Sequence, residues 1–404
     1  MTPSPPESAL PKGFRFAATA CGLKKTGALD LALISSDAPA SAAAVFTQNL
    51  VVAAPVKLSR KNLRESKGRM RAVVVNAGNA NCATGVLGDS VAHRTNQEAA
   101  RRMLLVPQEV FVCSTGVIGV QLPVEKILRA LPSLARNRRA SARSFAELSL
   151  AICTTDTRPK TASATFKMSG KRIHLVGCAK GAGMIHPNMA TTLAFVVTDA
   201  AISPSLLQKT LRDIASRTFN SISVDGDTST NDTLLVLANG AAGAPAIANG
   251  GKAHRQFSAA LEEVCGSLAR QIVADGEGAQ RVIEIQVRRA RTESAARKIA
   301  ETIATSPLVK TAFAGGDPNW GRIFAAAGRS GVKFDPALVE ISMAGIKVLR
   351  KGQPLDFNER AASNRLLADH VAIVVDLHAG KSHARYWTCD FTAEYVRVNA
   401  SYRT

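Results

Sequence analysis

Five consecutive apolar residues, Leu193-Ala194-Phe195-Val196-Val197, follow directly on a loop crowded with glycine, proline and asparagine, Lys180 to Thr192. A strand with no polar alternation has no wet face, so it needs cover on both sides and belongs inside a layered protein. The loop that feeds it adds a chemical constraint. Ala190-Thr191 sets a small residue before a hydroxyl residue at the point where the chain enters the strand. Only Ser, Thr or Cys can attack the preceding carbonyl and turn an amide into an ester that water then opens. Once freed, Thr191 would carry its own base, because an α-amine titrates near pH 8 and is partly neutral under physiological conditions. The pair reads as an internal self-cleavage site that yields an N-terminal threonine nucleophile. Ala-Thr alone also fits an ordinary turn into a buried strand.

The rest of the chain alternates strands and helices. Ala72–Val75 and Phe111–Cys113 read as short buried strands, the second ending at Ser114-Thr115-Gly116. Asp89 is a candidate cap for a helix from Ser90 to about Leu104, which Pro107 stops. Ala146–Ile152 reads as helix, and residues 162–178 as a hairpin about Ser169-Gly170. After the apolar strand, Ser203-Pro204 opens a helix with Leu207, Leu211 and Ile214 on one face. A longer helix carries Phe257, Leu261, Val264, Leu268 and Ile272 and runs into Asp275-Gly276-Glu277-Gly278. Val282–Val287 alternates as a half-wet strand, Thr292–Thr305 is helical, and Val371–Leu377 is another apolar strand. Strands followed by helices, with buried strands enough for two sheets, indicate an α+β layered sandwich. At 404 residues the chain is too long for one ordinary core and predicts two domains.

Bulk composition narrows the function classes. Apolar residues make up 46% and aromatics only 5%, a globular composition with an aliphatic core. The seven cysteines (Cys21, Cys82, Cys113, Cys153, Cys178, Cys265 and Cys389) form no CxxC pair, which predicts free thiols in a reducing compartment. His378 and His383 lack a metal-site partner, so no metal is expected. Residues 1–25 show no apolar core after a basic start, and the uncharged stretches 38–56, 181–198 and 233–251 are interrupted by Pro, Asn, Gln or Gly. A cytoplasmic protein with no membrane span is the expectation. The net charge of +20 invites a nucleic-acid reading, yet the basic runs 60–71, 136–143 and 288–297 have no interleaved aromatics to stack bases. A solvated basic surface that attracts anionic substrates is the better fit. Gly250-Gly251-Lys252-Ala253 and Gly181-Ala182-Gly183 are incomplete as phosphate cradles, so no nucleotide cofactor is expected. Asp225-Gly226-Asp227-Thr228-Ser229-Thr230-Asn231-Asp232 lacks the later glutamate of a calcium loop and reads as a hydrogen-bonded structural loop near the site.

The longer string Gly181-Ala182-Gly183-Met184-Ile185-His186-Pro187-Asn188-Met189-Ala190-Thr191 resembles the cleavage motif of the ornithine acetyltransferase family, the glutamate N-acetyltransferases of arginine biosynthesis. Further segments extend the resemblance: Asn76–Asn81, Ser114–Gly119, Thr154–Thr157, Ser223–Thr233, Asp275–Ala279, Asp317–Ile323 and Asn399–Thr404. Cys82, Gln280 and Gly316 depart from the family pattern without touching a residue given a chemical role.

The resemblance implies a four-layer α-β-β-α core, similar to N-terminal-nucleophile hydrolases, over residues 1–280. A C-terminal α/β domain would occupy 281–404, its tail returning to the site. Cleavage between Ala190 and Thr191 would give fragments 1–190 and 191–404, assembled as a heterotetramer of two each. Thr191 would be the nucleophile, and the Thr115 side chain with the Gly116 N–H would form the oxyanion hole. Thr154, Lys180, Thr191, Glu277, Asn399 and Thr404 would bind substrate, with Lys180 meeting a carboxylate and Glu277 an amine. The implied reaction moves acetyl from N-acetylornithine to glutamate through an acetyl-Thr191 ester. Acetyl-CoA is a second donor in bifunctional members, which the residues do not decide. The rival within enzymes is a self-cleaving aminopeptidase or amidase of related fold.

Overall fold

The computed structural model describes residues 10–186 and 192–401. Its first strands are β1 (Phe14–Thr19), β2 (Leu31–Phe46), β3 (Arg69–Asn79) and β4 (Val110–Val117), with helices α1 (Ala54–Glu65), α2 (Gly85–Met103), α3 (Val124–Arg136) and α4 (Ala142–Ala151) among and after them. Then come β5 (Lys160–Met168), β6 (Lys171–Lys180), β7 (Leu193–Thr198), β8 (Ile222–Ser223) and β9 (Thr233–Ala238), with α5 (Pro204–Arg217) and α6 (Lys252–Ala274).

β2 organises this part of the fold. Its register breaks between Ser35 and Ala40, where Asp37 to Pro39 are exposed. The half before the break pairs antiparallel with β1 and β3, and the half after it pairs antiparallel with β9. The strand order β4-β3-β2-β9-β7-β6-β5, with β1 also on β2, therefore folds over on itself. Phe16, Ile34, Val73, Val75 and Phe111 of one half meet Val176, Phe195, Val197, Leu235 and Leu237 of the other in one buried cluster.

Each half is then covered on its outer face. Leu31, Leu33 and Val74 lie against Val91 and Ala99 of α2 and Ile127 and Leu131 of α3, while Leu58 of α1 packs with Val112. Val45, Leu175, Ala194, Val196, Leu234 and Val236 lie beneath α5 and α6. The result is the α-β-β-α sandwich. It also explains the sequence of β7: Ala194 and Val196 face the helices, Leu193, Phe195 and Val197 face the other half-sheet, and neither side meets water. At about 1.5–3 kcal/mol for each fully buried large aliphatic or Phe side chain, such a strand has one stable location.

A second sheet follows, with β10 (Val282–Ala290), β11 (Glu340–Met343), β12 (Ile346–Arg350), β13 (Gln353–Pro354), β14 (His370–Asp376) and β15 (Ser382–Cys389) in the order β13-β12-β11-β14-β10-β15-β8. Helices α7 (Glu293–Ala304), α8 (Pro307–Ala314) and α9 (Trp320–Gly328) cover its buried face through Ile299, Ile303, Phe313 and Ile323. α10 (Glu359–Leu366) contributes Leu366 to the same core, and α11 (Ala393–Ser401) ends the described chain. β8 precedes β9 in sequence yet joins this sheet, pairing Ile222 with Trp387 and Ser223 with Thr388.

Two helices begin before their expected starts. α2 starts at Gly85 rather than after Asp89, because Asn81 and Thr84 close the preceding loop: Thr84 Oγ1 bonds Asn81 Oδ1 at 3.0 Å, and Asn81 Nδ2 donates to Gly88 O. α4 starts at Ala142, where the Ser141 hydroxyl accepts from Ser144 N. No helix among the described residues is long and apolar enough to cross a membrane.

Candidate active site

The C-terminal ends of β4 and β6, the start of β7 and the approach to β9 converge on a cleft of about 230 Å³. Thr115, Gly116, Thr154, Lys180, Glu277 and Asn399 all line it. Ala190, Thr191 and Thr404 lie outside the described residues. Thr192 and Leu193, the next two residues in sequence after Thr191, line the same cleft.

Strand geometry makes the Thr115-Gly116 pair. β3 and β4 run parallel, with Gly78 opposite Gly116. Gly116 has φ +130°, and a Cβ there would lie 2.3 Å from the Gly78 carbonyl carbon and 2.5 Å from Asn79 N. Only glycine fits that close approach. Thr115 Oγ1 accepts a hydrogen bond from Lys180 Nζ at 3.0 Å. A hydroxyl that accepts from an ammonium keeps its own proton free and more acidic, so Thr115 can donate strongly into the cleft. Lys180 thus donates to Thr115 and lines the cleft with its ammonium.

A buried ion cluster behind the cleft ties its lining loops together. Lys160 on β5 is fully buried and pairs with Asp156 and, at 2.5 Å, with Asp275. Asp156 also accepts from Gly181 N at 2.6 Å and Thr154 N at 2.9 Å. Burial pushes the Asp156 carboxyl up, but Lys160, Lys180 and the Gly181 N–H outweigh it and hold it below the usual range. Asp275 accepts from the Thr157 N–H and hydroxyl and stands two residues before Glu277. One ammonium thus joins the segments that carry Thr154, Lys180 and Glu277.

Glu277 and the C-terminal helix meet across two glycines. A Cβ on Gly183 would sit 2.3 Å from Glu277 Oε2, and one on Gly278 would sit 2.4 Å from Tyr395 N. Without those side chains, Asn399 Nδ2 reaches Glu277 Oε2 at 2.9 Å. Glu277 is only 9% exposed.

The loop from Asp225 to Asp232 forms the remaining wall. Asp225 accepts from Met184 N at 2.6 Å and Ile185 N at 2.9 Å, and Thr228 Oγ1 donates to His186 O. These bonds fix the segment that leads toward residue 190. His186 Nε2 lies 3.2 Å from Glu301 Oε1 on α7, and that contact holds Glu301 below the usual carboxylate range. Asn231 Nδ2 donates to Ala80 O and Ser114 O, locking the loop onto β4. The structural role expected for this loop is what its hydrogen bonds provide. All seven cysteines are unpaired, and burial pushes the thiols of Cys21 and Cys153 up to about 12.

Sequence reasoning missed Lys160, Asp232 and Tyr395, all three of which belong to this site or its support. A lysine inside a strand pattern carries no sign that its ammonium is buried. Asp232 was visible only as one acidic residue among several.

The sequence pattern of the ArgJ family matches residues 15–404. The chain belongs to the ArgJ family. The arginine biosynthesis bifunctional protein ArgJ of Geobacter sulfurreducens is 47% identical over 394 residues, spanning 97% of this chain and 99% of that relative. The protein of the same name from Thermus thermophilus is 48% identical over 395 residues, spanning 98% and 99%. A crystal structure of the ArgJ protein of Bacillus halodurans is 43% identical, with a TM-score of 0.51, and covers 52% of this chain and 98% of that one. Every cleft residue named above falls within the span matched to the ArgJ family.

Proposed function

We propose that this chain is a self-processing acetyltransferase of arginine biosynthesis, moving acetyl from N-acetylornithine to glutamate. The observation that carries the reading is the convergence of Thr115, Gly116, Lys180, Glu277 and Asn399 on one cleft at the start of β7, directly after Thr191 in sequence. Full-length likeness to bifunctional ArgJ proteins supports it.

In this reading Thr191 cuts its bond to Ala190 and gains a free α-amine. That amine takes the hydroxyl proton as Oγ attacks the acetyl carbonyl, and passes it to the departing ornithine nitrogen. The Thr115 hydroxyl and the Gly116 N–H receive the negative charge of the tetrahedral intermediate. Glutamate then takes the acetyl group by the reverse sequence. Lys180, Thr154, Asn399 and Thr404 hold the amino-acid ends, and Glu277 holds the amine. Acetyl-CoA serves as a second donor. The cut fragments 1–190 and 191–404 assemble as a cytoplasmic heterotetramer, with a core over 1–280 and a C-terminal domain over 281–404.

Purified protein should run as two fragments on a denaturing gel, the second beginning at Thr191, while Thr191→Ala stays a single chain of 42.5 kDa. With N-acetylornithine and no glutamate, the second fragment should gain one acetyl group in its intact mass. A single uncut chain that turns over normally overturns the reading. Release of free acetate at the same rate with and without glutamate favours an amidase instead.

A further inference from the structure

Self-cleavage differs from the later transfer in one chemical respect. While Thr191 is still inside the chain its nitrogen is an amide, which is no base, so the α-amine of the mature nucleophile does not yet exist. Another group must take the hydroxyl proton and supply one to the departing nitrogen.

Most ionisable groups of the cleft are already committed. Lys180 donates to Thr115, Asp225 accepts from two backbone amides of the neighbouring loop, and Glu277 accepts from Asn399. Asp227 is exposed. Asp232 is different. It lines the cleft at 2% exposure, and its Oδ2 is buried without a hydrogen-bond partner among the described residues.

Its place in the fold is firmly set. β7 and β9 pair in parallel with Leu193 opposite Thr233, and Thr233 N donates to Thr192 O at 2.8 Å. Asp232 therefore stands beside Thr192, the residue joined to Thr191 by one peptide bond. The Asp232 backbone carbonyl accepts from Thr47 N at 3.0 Å, so this position does not swing. A native fold rarely leaves a buried carboxyl oxygen unpaired, and an oxygen left so in a cleft is positioned for a group that is handled during reaction.

We propose that Asp232 is the proton-transfer group of self-cleavage. The inference rests on the self-processing reading above. As the Thr191 Oγ–Ala190 carbon bond forms, the hydroxyl proton passes to one carboxyl oxygen. The proton already carried by the other oxygen passes to the amide nitrogen, and the carbon–nitrogen bond breaks. The carboxyl ends as it began, and water then opens the ester to give the Ala190 carboxylate and the free threonine. A carboxyl can do this only in its acid form. Burial holds Asp232 well above the usual carboxylate range, against the downward pull of the Ser229 hydrogen bond and the Lys180 charge. The other charged side chains of the cleft are the carboxylates of Asp225, Asp227 and Glu277.

The experiment is pulse–chase of cell-free-translated full chain, following loss of the uncut band across a pH series. Asp232→Asn keeps the shape without a transferable proton, and Asp232→Leu removes the buried polar group. Both should give folded chains, with cooperative melting at least as high as that of Thr191→Ala, that cut at least roughly a hundredfold more slowly. Asp232→Glu should retain cleavage at a reduced rate with a shifted pH profile. Normal cutting by folded Asp232→Asn or Asp232→Leu overturns the proposal. If neither variant folds, Asp232→Glu decides: an unchanged rate and pH profile overturns it, and a changed profile sustains it. A wild-type chain that never cuts refutes the self-processing reading itself, which keeps the two failures apart.

Discussion

Thr115 is a hydroxyl made more acidic by the ammonium 3.0 Å away on Lys180. Replacing it with valine keeps the branched shape beside the fixed Gly116 and removes the hydroxyl, both its donor proton and the acceptor for Lys180. With the proposed oxyanion donor lost, acetyl transfer by Thr115→Val should fall roughly 10²–10³-fold in kcat. Steady-state kinetics on the cut enzyme decides this. Asp232 makes a prediction of a different sort. Its folded-state pKa is raised by burial, so the folded protein holds a proton that the unfolded chain releases above about pH 4. Stability from this group is full below that pH and is lost as pH rises toward the folded value. Asp232→Asn should therefore melt progressively above the likewise uncut Thr191→Ala chain as pH increases from 4, and the gain should vanish near pH 4. Among single residues, the placement of the Ser-Thr-Gly turn at a strand end was legible from the sequence, but on its own a hydroxyl and a glycine there also fit an ordinary turn, and only the family resemblance singled it out. Burial of Asp232 and Lys160 was not, since charged side chains are mostly exposed and no local pattern marks these two as exceptions.

The buried cluster around Lys160 shows how strands and loops are fastened near the cleft. Lys160→Met removes the buried cation between Asp156 and Asp275 and leaves only the more distant Arg158 and Lys180 to offset them, and breaking a buried pair in this way costs about 3–5 kcal/mol. Because Asp156 also holds the Gly181 and Thr154 amides, the cleft loops proposed to bind substrate should loosen with it. The expected outcome is a lower melting temperature together with KM values that rise more than kcat falls. Unchanged kinetics with a lowered melting temperature would confine Lys160 to stability. β7 was legible from its unbroken apolar run, and α5, α6 and β10 from their periodicity. β2 was not legible as one element, because Asp37-Ala38-Pro39 has the look of a turn between two separate strands. β8 has only two residues and no pattern of its own; its pairing with β15 is set by the tertiary fold.

At the scale of the whole molecule, the strand order has a consequence for a cut chain. β9 and β7 would belong to fragment 191–404, yet they lie between β2 and β6 of fragment 1–190, with six residue pairs along each of the β2–β9 and β6–β7 edges. The severed halves are thus laced through one another, and parting them would strip both edges of an otherwise sealed pair of strands. An intact precursor assembles this arrangement from within a single molecule. Two pieces must first find each other, so recovery of cut enzyme from denaturant should slow on dilution, whereas uncut Thr191→Ala should regain its structure at a rate indifferent to concentration. Such an enzyme is folded once and then committed: its activation discards the tether that made its own assembly fast.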